Sequence, residues 1–166
     1  MNQLILSKSQ TAQIEREGMA AYPNECCGVI IGRDVRDGEN VRRIVERLEP
    51  LANDFDPTER FHRFSVRPGD LLAAEKSASR TGAAVLGFYH SHPDHPARPS
   101  EYDRQRAWEY YSYVIVAIAG PAPRAADMTS WLLEEGGAAF KRQEIAPPDG
   151  EIPIAPKNGE TAMSDA

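Results

Sequence analysis

The chain has 166 residues and a mass of 18.4 kDa, which is the size of one ordinary domain. Hydrophobic residues make up 41% and charged residues 27%, a composition of soluble globular proteins and not of disordered ones. The net charge of −6 argues against a nucleic-acid partner, because phosphate backbones bind positive surfaces. Residues 4–6 are too short an apolar run for a signal-peptide core or a membrane helix, so we expect a cytoplasmic protein without a membrane partner.

Hydrophobic periodicity predicts a mixture of helices and strands along the chain. Three helices are expected, at residues 8–21, 68–80 and 100–110. Six strands are expected, at residues 27–31, 41–48, 83–89, 113–119, 128–133 and 138–145. Residues 49–67 are polar with scattered aromatic residues and are predicted to form a long loop. This alternation is typical of a mixed α/β domain with a central sheet flanked by helices.

The composition changes near residue 146. Residues 146–166 carry four prolines and four acidic residues against a single lysine, with little to bury. We therefore expect one folded domain over residues 1–145 and a mobile tail over residues 146–166.

The two cysteines, Cys26 and Cys27, are adjacent in the sequence. Neighbouring residues close too tight a ring for an unstrained disulfide, and free thiols are typical of a reducing compartment. Two adjacent cysteines also exclude a four-cysteine structural zinc site. We expect Cys27 to pack in the interior and leave the role of Cys26 open.

Two histidines stand where the strand predicted at residues 83–89 runs out into a loop. His90 and His92 are two positions apart, so on an extended backbone they project to the same face and can occupy two corners of a tetrahedral zinc site. Asp103 lies eleven residues after His92 and is a candidate third ligand, which leaves the fourth corner to water as in catalytic zinc sites. Glu25, just before an apolar strand, is the candidate proton acceptor.

These residues resemble the motif of the JAMM (MPN+, JAB1/MPN/Mov34) zinc metalloproteases. That motif has a glutamate, a later H-[ST]-H-P and an S-x-x-D, with ten residues between the second histidine and the aspartate. Glu25, residues 90–93 and the pair Ser100 and Asp103 have this spacing, and residues 22–32 are similar to the matching segment of small prokaryotic members. The resemblance covers about residues 5–145.

The resemblance implies one zinc ion per chain, bound by His90, His92 and Asp103. Glu25 would deprotonate the zinc-bound water and pass the proton to the leaving amine, and Ser100 would stabilise the oxyanion. The implied fold is the MPN/JAMM, cytidine-deaminase-like fold, with a mostly antiparallel, curved central sheet flanked by helices.

The implied reaction is that of a metallopeptidase or deubiquitinase-like isopeptidase. It hydrolyses the bond after the C-terminal Gly-Gly of a ubiquitin-like or sulfur-carrier protein. The tail of that partner would bind as an extended strand near residues 53–66. The sequence does not distinguish a peptide bond from an isopeptide bond.

Several simpler interpretations stand beside this one. Ser100 and Asp103 also form a helix-capping pattern, and His95 is expected to be an ordinary loop residue. The alternative function is a non-catalytic scaffold of the same fold, but such scaffolds characteristically lose ligands and here none is missing. A zinc base deaminase is excluded, because it requires H-x-E and C-x-x-C, which this chain lacks.

Overall fold

The structure is a computed structural model and describes residues 1–151. Within this range the chain forms three helices, α1 (Lys8–Ala21), α2 (Pro68–Arg80) and α3 (Glu101–Arg106). It also forms seven strands, β1 (Asn2–Ile5), β2 (Cys27–Asp37), β3 (Asn40–Leu51), β4 (Ala84–Pro93), β5 (Ser112–Ala119), β6 (Arg124–Leu133) and β7 (Phe140–Ala146). Over these residues, no helix combines the length and apolar character needed to cross a membrane.

The strands close into a barrel in the order β1-β3-β2-β4-β5-β6-β7. The mixed α/β class with flanking helices is confirmed, but the strands form this closed barrel and not the mostly antiparallel, curved sheet that the resemblance implies. Closure depends on β1, which pairs in parallel with β3 on one side and with β7 on the other. A four-residue strand carries too little periodicity to be predicted, and its stability here comes from hydrogen bonds to both neighbours.

The helix boundaries follow local signals at two of the three helices. α1 begins after Ser7, which forms a reciprocal capping box with Gln10, and α2 begins with a proline in its first turn. α3 ends at Arg106, four residues earlier than predicted. Ala107 is extended, and the hydroxyl of Tyr113 accepts the Trp108 N–H at 2.7 Å in place of a helical carbonyl.

The main core lies between α1 and the barrel. Its largest buried member is Tyr89 of β4, fully buried, whose hydroxyl donates to Glu17 at 2.6 Å. α2 packs Ala74 and Ala78 against β2 and β4 in a second cluster. Both cysteines are free thiols, with Cys27 buried as expected. Both helices pack against β4, and α2 also packs against β2; these two strands position the candidate site.

The chain continues past β7 along the surface. Asp149 pairs with Arg42 at 2.9 Å, and the Glu151 side chain accepts the backbone N–H of Lys8 at 2.5 Å. Most of the predicted tail, residues 152–166, lies outside the described residues. The domain boundary near residue 145 therefore stays a prediction.

Candidate metal centre

Strand β4 carries both histidines, because it extends to Pro93 and not only to residue 89 as predicted. His90 pairs with Cys27 of β2 on one side and with Ile115 of β5 on the other, while His92 pairs with Ala117 of β5. The histidine backbones are thus fixed inside the sheet and not on a loop. Both side chains are buried, at 2% and 6% relative exposure.

The imidazole nitrogens of the two histidines converge on one carboxylate oxygen. His90 Nε2 and His92 Nε2 are 3.1 Å apart, and Asp103 Oδ2 lies 3.4 Å from the first and 3.3 Å from the second. His92 Nδ1 is 2.8 Å from the carbonyl oxygen of Pro96, an acceptor that holds the ring proton on Nδ1. The Nε2 lone pair of His92 is therefore free to bind a metal.

Helix α3 brings Asp103 to this point through its own cap. The Asp103 N–H donates to Ser100 Oγ at 3.1 Å, and the Ser100 N–H donates to Asp103 Oδ2 at 2.8 Å. The Asp103 carboxylate therefore takes part in the cap of α3 and also lies next to both histidines. Burial alone would raise the pKa of Asp103, but the charge and hydrogen bonds of the two histidines hold it well below its usual range.

Glu25 lies beside the three candidate metal ligands, His90, His92 and Asp103. Its side chain is 5% exposed, and Oε1 lies 3.9 Å from His92 Nε2. Burial raises the pKa of Glu25 to about 8, with nearby His92 lowering it and Asp103 raising it further. Glu25 can therefore exchange a proton near neutral pH.

The donors fit a zinc ion. Ligands at about 2.0–2.1 Å in a tetrahedron stand about 3.3–3.4 Å from one another, close to the three distances among His90, His92 and Asp103. One atom each from Glu25, His90 and His92 also falls within 4.8 Å of the others, but Asp103 lies nearer to both histidine nitrogens than Glu25 lies to His92. These distances favour Asp103 over Glu25 as the third candidate ligand.

The nearby thiols are poorly suited to compete for this metal. The Cys27 thiol donates to the Leu51 carbonyl oxygen at 3.6 Å, and burial raises its pKa to about 12. Burial likewise raises the pKa of Cys26 to about 11. Zinc binds the thiolate, and the burial of these two thiols disfavours that charged form.

The segment between β3 and α2 packs directly on the centre. The Phe64 ring stacks on His90 with centroids 4.7 Å apart, and Phe55 meets Tyr102 of α3 edge-on at 6.0 Å. His95 is exposed, with its ring centroid 6.4 Å from that of His92, and it does not join the donors. The sequence shows the aromatic residues of this segment but does not predict their contacts, because the partners lie far away along the chain and no periodic pattern identifies them.

A largely apolar cavity of about 350 Å³ opens next to the donors. Its walls include His90 and Asp103 together with residues from the 52–67 segment, α2, β4 and β5. The apolar lining comes mainly from Phe64, Val66, Pro68, Leu71, Phe88, Tyr102, Trp108 and Tyr113. The sequence around Trp108 does not indicate this cavity, because most of its walls come from distant parts of the chain.

Residues 7–134 match the family of prokaryotic homologs of the JAB domain. The chain belongs to this family. The match spans most of the chain and includes Glu25, both histidines, Ser100 and Asp103. The resemblance stated from the motif is thereby confirmed at the level of the JAB family.

Two relatives and one solved structure are similar to this chain. A desampylase of Haloferax volcanii is 33% identical over 107 residues, which cover 63% of this chain and 71% of the relative. A probable TtuB-protein conjugate cleaving protease of Thermus thermophilus is 38% identical over 105 residues, covering 63% of this chain and 61% of that protein. The solution structure of a Salinibacter ruber protein superposes with a TM-score of 0.65 at 35% identity, covering 93% of this chain and 95% of that one.

Proposed function

We propose that this JAB-domain protein is a zinc-dependent isopeptidase or peptidase. It hydrolyses the amide bond after the C-terminal Gly-Gly of a ubiquitin-like or sulfur-carrier protein. The observation that carries the proposal is the triangle of His90 Nε2, His92 Nε2 and Asp103 Oδ2, with sides of 3.1–3.4 Å and the buried Glu25 carboxylate beside it. That arrangement combines a three-ligand zinc site with a proton acceptor that is not a ligand.

When bound by His90, His92 and Asp103, zinc supplies a Lewis acid that makes water nucleophilic near neutral pH. Glu25 accepts the proton of the attacking water at its carboxylate and returns it to the departing amine. A base must be ionised to accept this proton, and bound zinc would favour the ionised Glu25 by lowering its pKa from the value of about 8 that burial gives it in the metal-free protein. The Ser100 hydroxyl oxygen accepts the Asp103 N–H, and its O–H donates a hydrogen bond to the oxygen of the scissile carbonyl.

The apolar cavity supports a protein tail as the substrate. An extended chain that crosses this cavity comes directly to His90 and Asp103, which form part of its wall. Phe64, Ser65 and Val66 line the same wall and belong to the segment predicted to meet the tail. The names of the two relatives, a desampylase and a protease cleaving TtuB–protein conjugates, favour a carrier-protein conjugate over a free peptide.

The test is cleavage measured by intact-protein mass spectrometry. The zinc-loaded protein is incubated with ubiquitin-like and sulfur-carrier proteins extended beyond Gly-Gly, and with carriers joined to a lysine side chain. Glu25→Gln is the matched control, because it keeps the size of the side chain and removes the base.

We expect a carrier product that ends at the second glycine, formed by the wild type and not by Glu25→Gln. Preference for the lysine-linked substrate would establish an isopeptidase, and preference for the linear extension would establish a peptidase. Failure to cut any carrier with one zinc bound per chain would contradict the proposal. That result would favour the scaffold alternative.

A further inference from the structure

The segment of residues 52–67 covers the metal centre without forming a helix or strand of its own. It begins where β3 ends and returns to the first residue of α2. Through Phe64 it stacks on His90, and through Phe55 it contacts Tyr102, the neighbour of Asp103 in α3. The position of this segment therefore shapes both the wall of the cavity and the surroundings of the donors.

One side chain ties the two ends of this segment together. Asn53 Nδ2 donates to the carbonyl oxygen of Arg63 at 3.0 Å, and Asn53 Oδ1 accepts the backbone N–H groups of Phe55 and Ser65, each at 3.1 Å. Asp54 N–H also donates to the Ser65 carbonyl oxygen at 2.8 Å. The Asn53 side-chain amide and one backbone hydrogen bond thus hold together the two ends of an eleven-residue loop, residues 54–64.

The same amide reaches the main chain of the proposed base. Asn53 Nδ2 donates a second hydrogen bond, of 3.1 Å, to the carbonyl oxygen of Glu25. The Glu25 N–H in turn donates to the Arg60 carbonyl oxygen at 2.6 Å. Both main-chain polar groups of Glu25 are therefore held by the 52–67 segment, and Asn53 uses both its amide hydrogens and both acceptor positions of its oxygen.

We infer that Asn53 is a positioning residue for the reaction, a role that rests on the proposed function. It keeps the 52–67 segment closed on the metal centre and fixes the main chain that carries Glu25. Among the described residues, the Asn53 side chain bonds to Glu25, Arg63, Phe55 and Ser65 and not to His90, His92 or Asp103. Because a general base must lie within about 0.5 Å of its working position, a shift of the Glu25 main chain slows the proton transfer.

The substitution Asn53→Asp tests this role with almost no change in shape. It keeps the oxygen that accepts from Phe55 and Ser65, but it replaces the donating NH₂ by an anionic oxygen facing two carbonyl oxygens. The control is Asn40→Asp, the same chemical change at the far end of β2 and β3, where Asn40 is exposed and accepts the N-terminal amine at 2.9 Å. For each variant we would measure zinc content, kcat, KM and amide hydrogen exchange at Glu25 and over residues 54–66. All measurements are made at a temperature below the unfolding midpoint of the variant.

We expect Asn53→Asp to bind one zinc ion, as the wild type does. Its kcat should fall at least tenfold, its KM should rise, and its backbone amides at Glu25 and residues 54–66 should exchange hydrogen faster. Asn40→Asp should match the wild type in all four readouts. Unchanged kcat in Asn53→Asp would overturn the inference, even if its unfolding midpoint fell, because a purely structural residue behaves that way. If the wild type cuts no carrier, the proposed function has failed, and the role of Asn53 in that reaction fails with it. Hydrogen exchange then tests only whether Asn53 holds the segment and the Glu25 main chain: unchanged protection at Glu25 and residues 54–66 overturns this, and faster exchange at both supports it.

Discussion

Replacing the buried base with an amide should stabilise the metal-free protein at alkaline pH. In the folded protein the pKa of Glu25 is about 8, against 4.5 for an unperturbed glutamate, because the side chain is buried. Between these two values the folded state binds more protons than the unfolded state. The stabilising contribution is therefore complete below about pH 4.5 and is lost as the pH rises through about 8. Glu25→Gln removes this dependence.

The size of the effect follows from the difference in pKa. One pKa unit corresponds to about 1.36 kcal/mol, so the difference of three to four units sets a ceiling of about 5 kcal/mol above pH 8. Relaxation of protein and water around the site reduces that ceiling, and we expect about 2–4 kcal/mol. For a domain of this length such a gain corresponds to a rise in unfolding midpoint of roughly 5–15 °C.

The assay is thermal unfolding of wild type and Glu25→Gln in chelator, from pH 4.5 to pH 8.5. The two midpoints should nearly coincide at the acidic end and diverge steadily towards pH 8.5, with the variant higher. Added zinc should shrink the gap, because a nearby cation favours the ionised form of Glu25. A gap that is independent of pH in chelator, or a variant less stable than the wild type at pH 8.5, would refute the reasoning.

Three further predictions concern the ligand set, the cavity and the sheet. Asp103→Asn should weaken zinc binding by at least about 100-fold in a chelator competition, because it removes the only anionic donor of the three; unchanged affinity would contradict the assignment. Phe64→Ala should raise KM for a carrier substrate without changing zinc content, because it removes part of the apolar wall of the cavity that takes the tail; an unchanged KM would place the tail elsewhere. Gly87→Ala should lower stability by several kcal/mol or prevent folding, since a Cβ there would lie 1.9 Å from the Ser112 carbonyl oxygen; an unfolding curve like that of the wild type would count against the tight pairing of β4 and β5.

The sequence predicted those features that local signals determine. α1 and α2 were located to the residue at both ends, because a cap, a proline and a glycine mark their termini. The spacing of His90 and His92 on an extended backbone predicted two ligands, and the resemblance to the JAMM motif implied the complete site with Glu25, Ser100 and Asp103. The structure brings His90, His92, Asp103 and Glu25 together, and their roles in catalysis stay predictions.

Features that depend on distant partners were not predictable. Closure of the barrel requires β1 to pair with β7, which lies about 140 residues away, and nothing in residues 2–5 indicates that partner. The position of the 52–67 segment depends on Asn53 reaching Glu25, Arg63 and Ser65. An isolated asparagine in a polar stretch gives no sign of such bonds, so the segment was predicted only as a loop.

The most direct test of the account is the zinc-edge X-ray absorption spectrum of the protein with one equivalent of zinc. We predict nitrogen and oxygen scatterers at about 2.0–2.2 Å, with the outer-shell pattern of two imidazoles and no sulfur. Asp103→Asn should change this spectrum or abolish metal binding. A sulfur scatterer at about 2.3 Å, indicating a cysteine ligand, or a spectrum with no imidazole contribution, would contradict a centre formed by His90, His92 and Asp103.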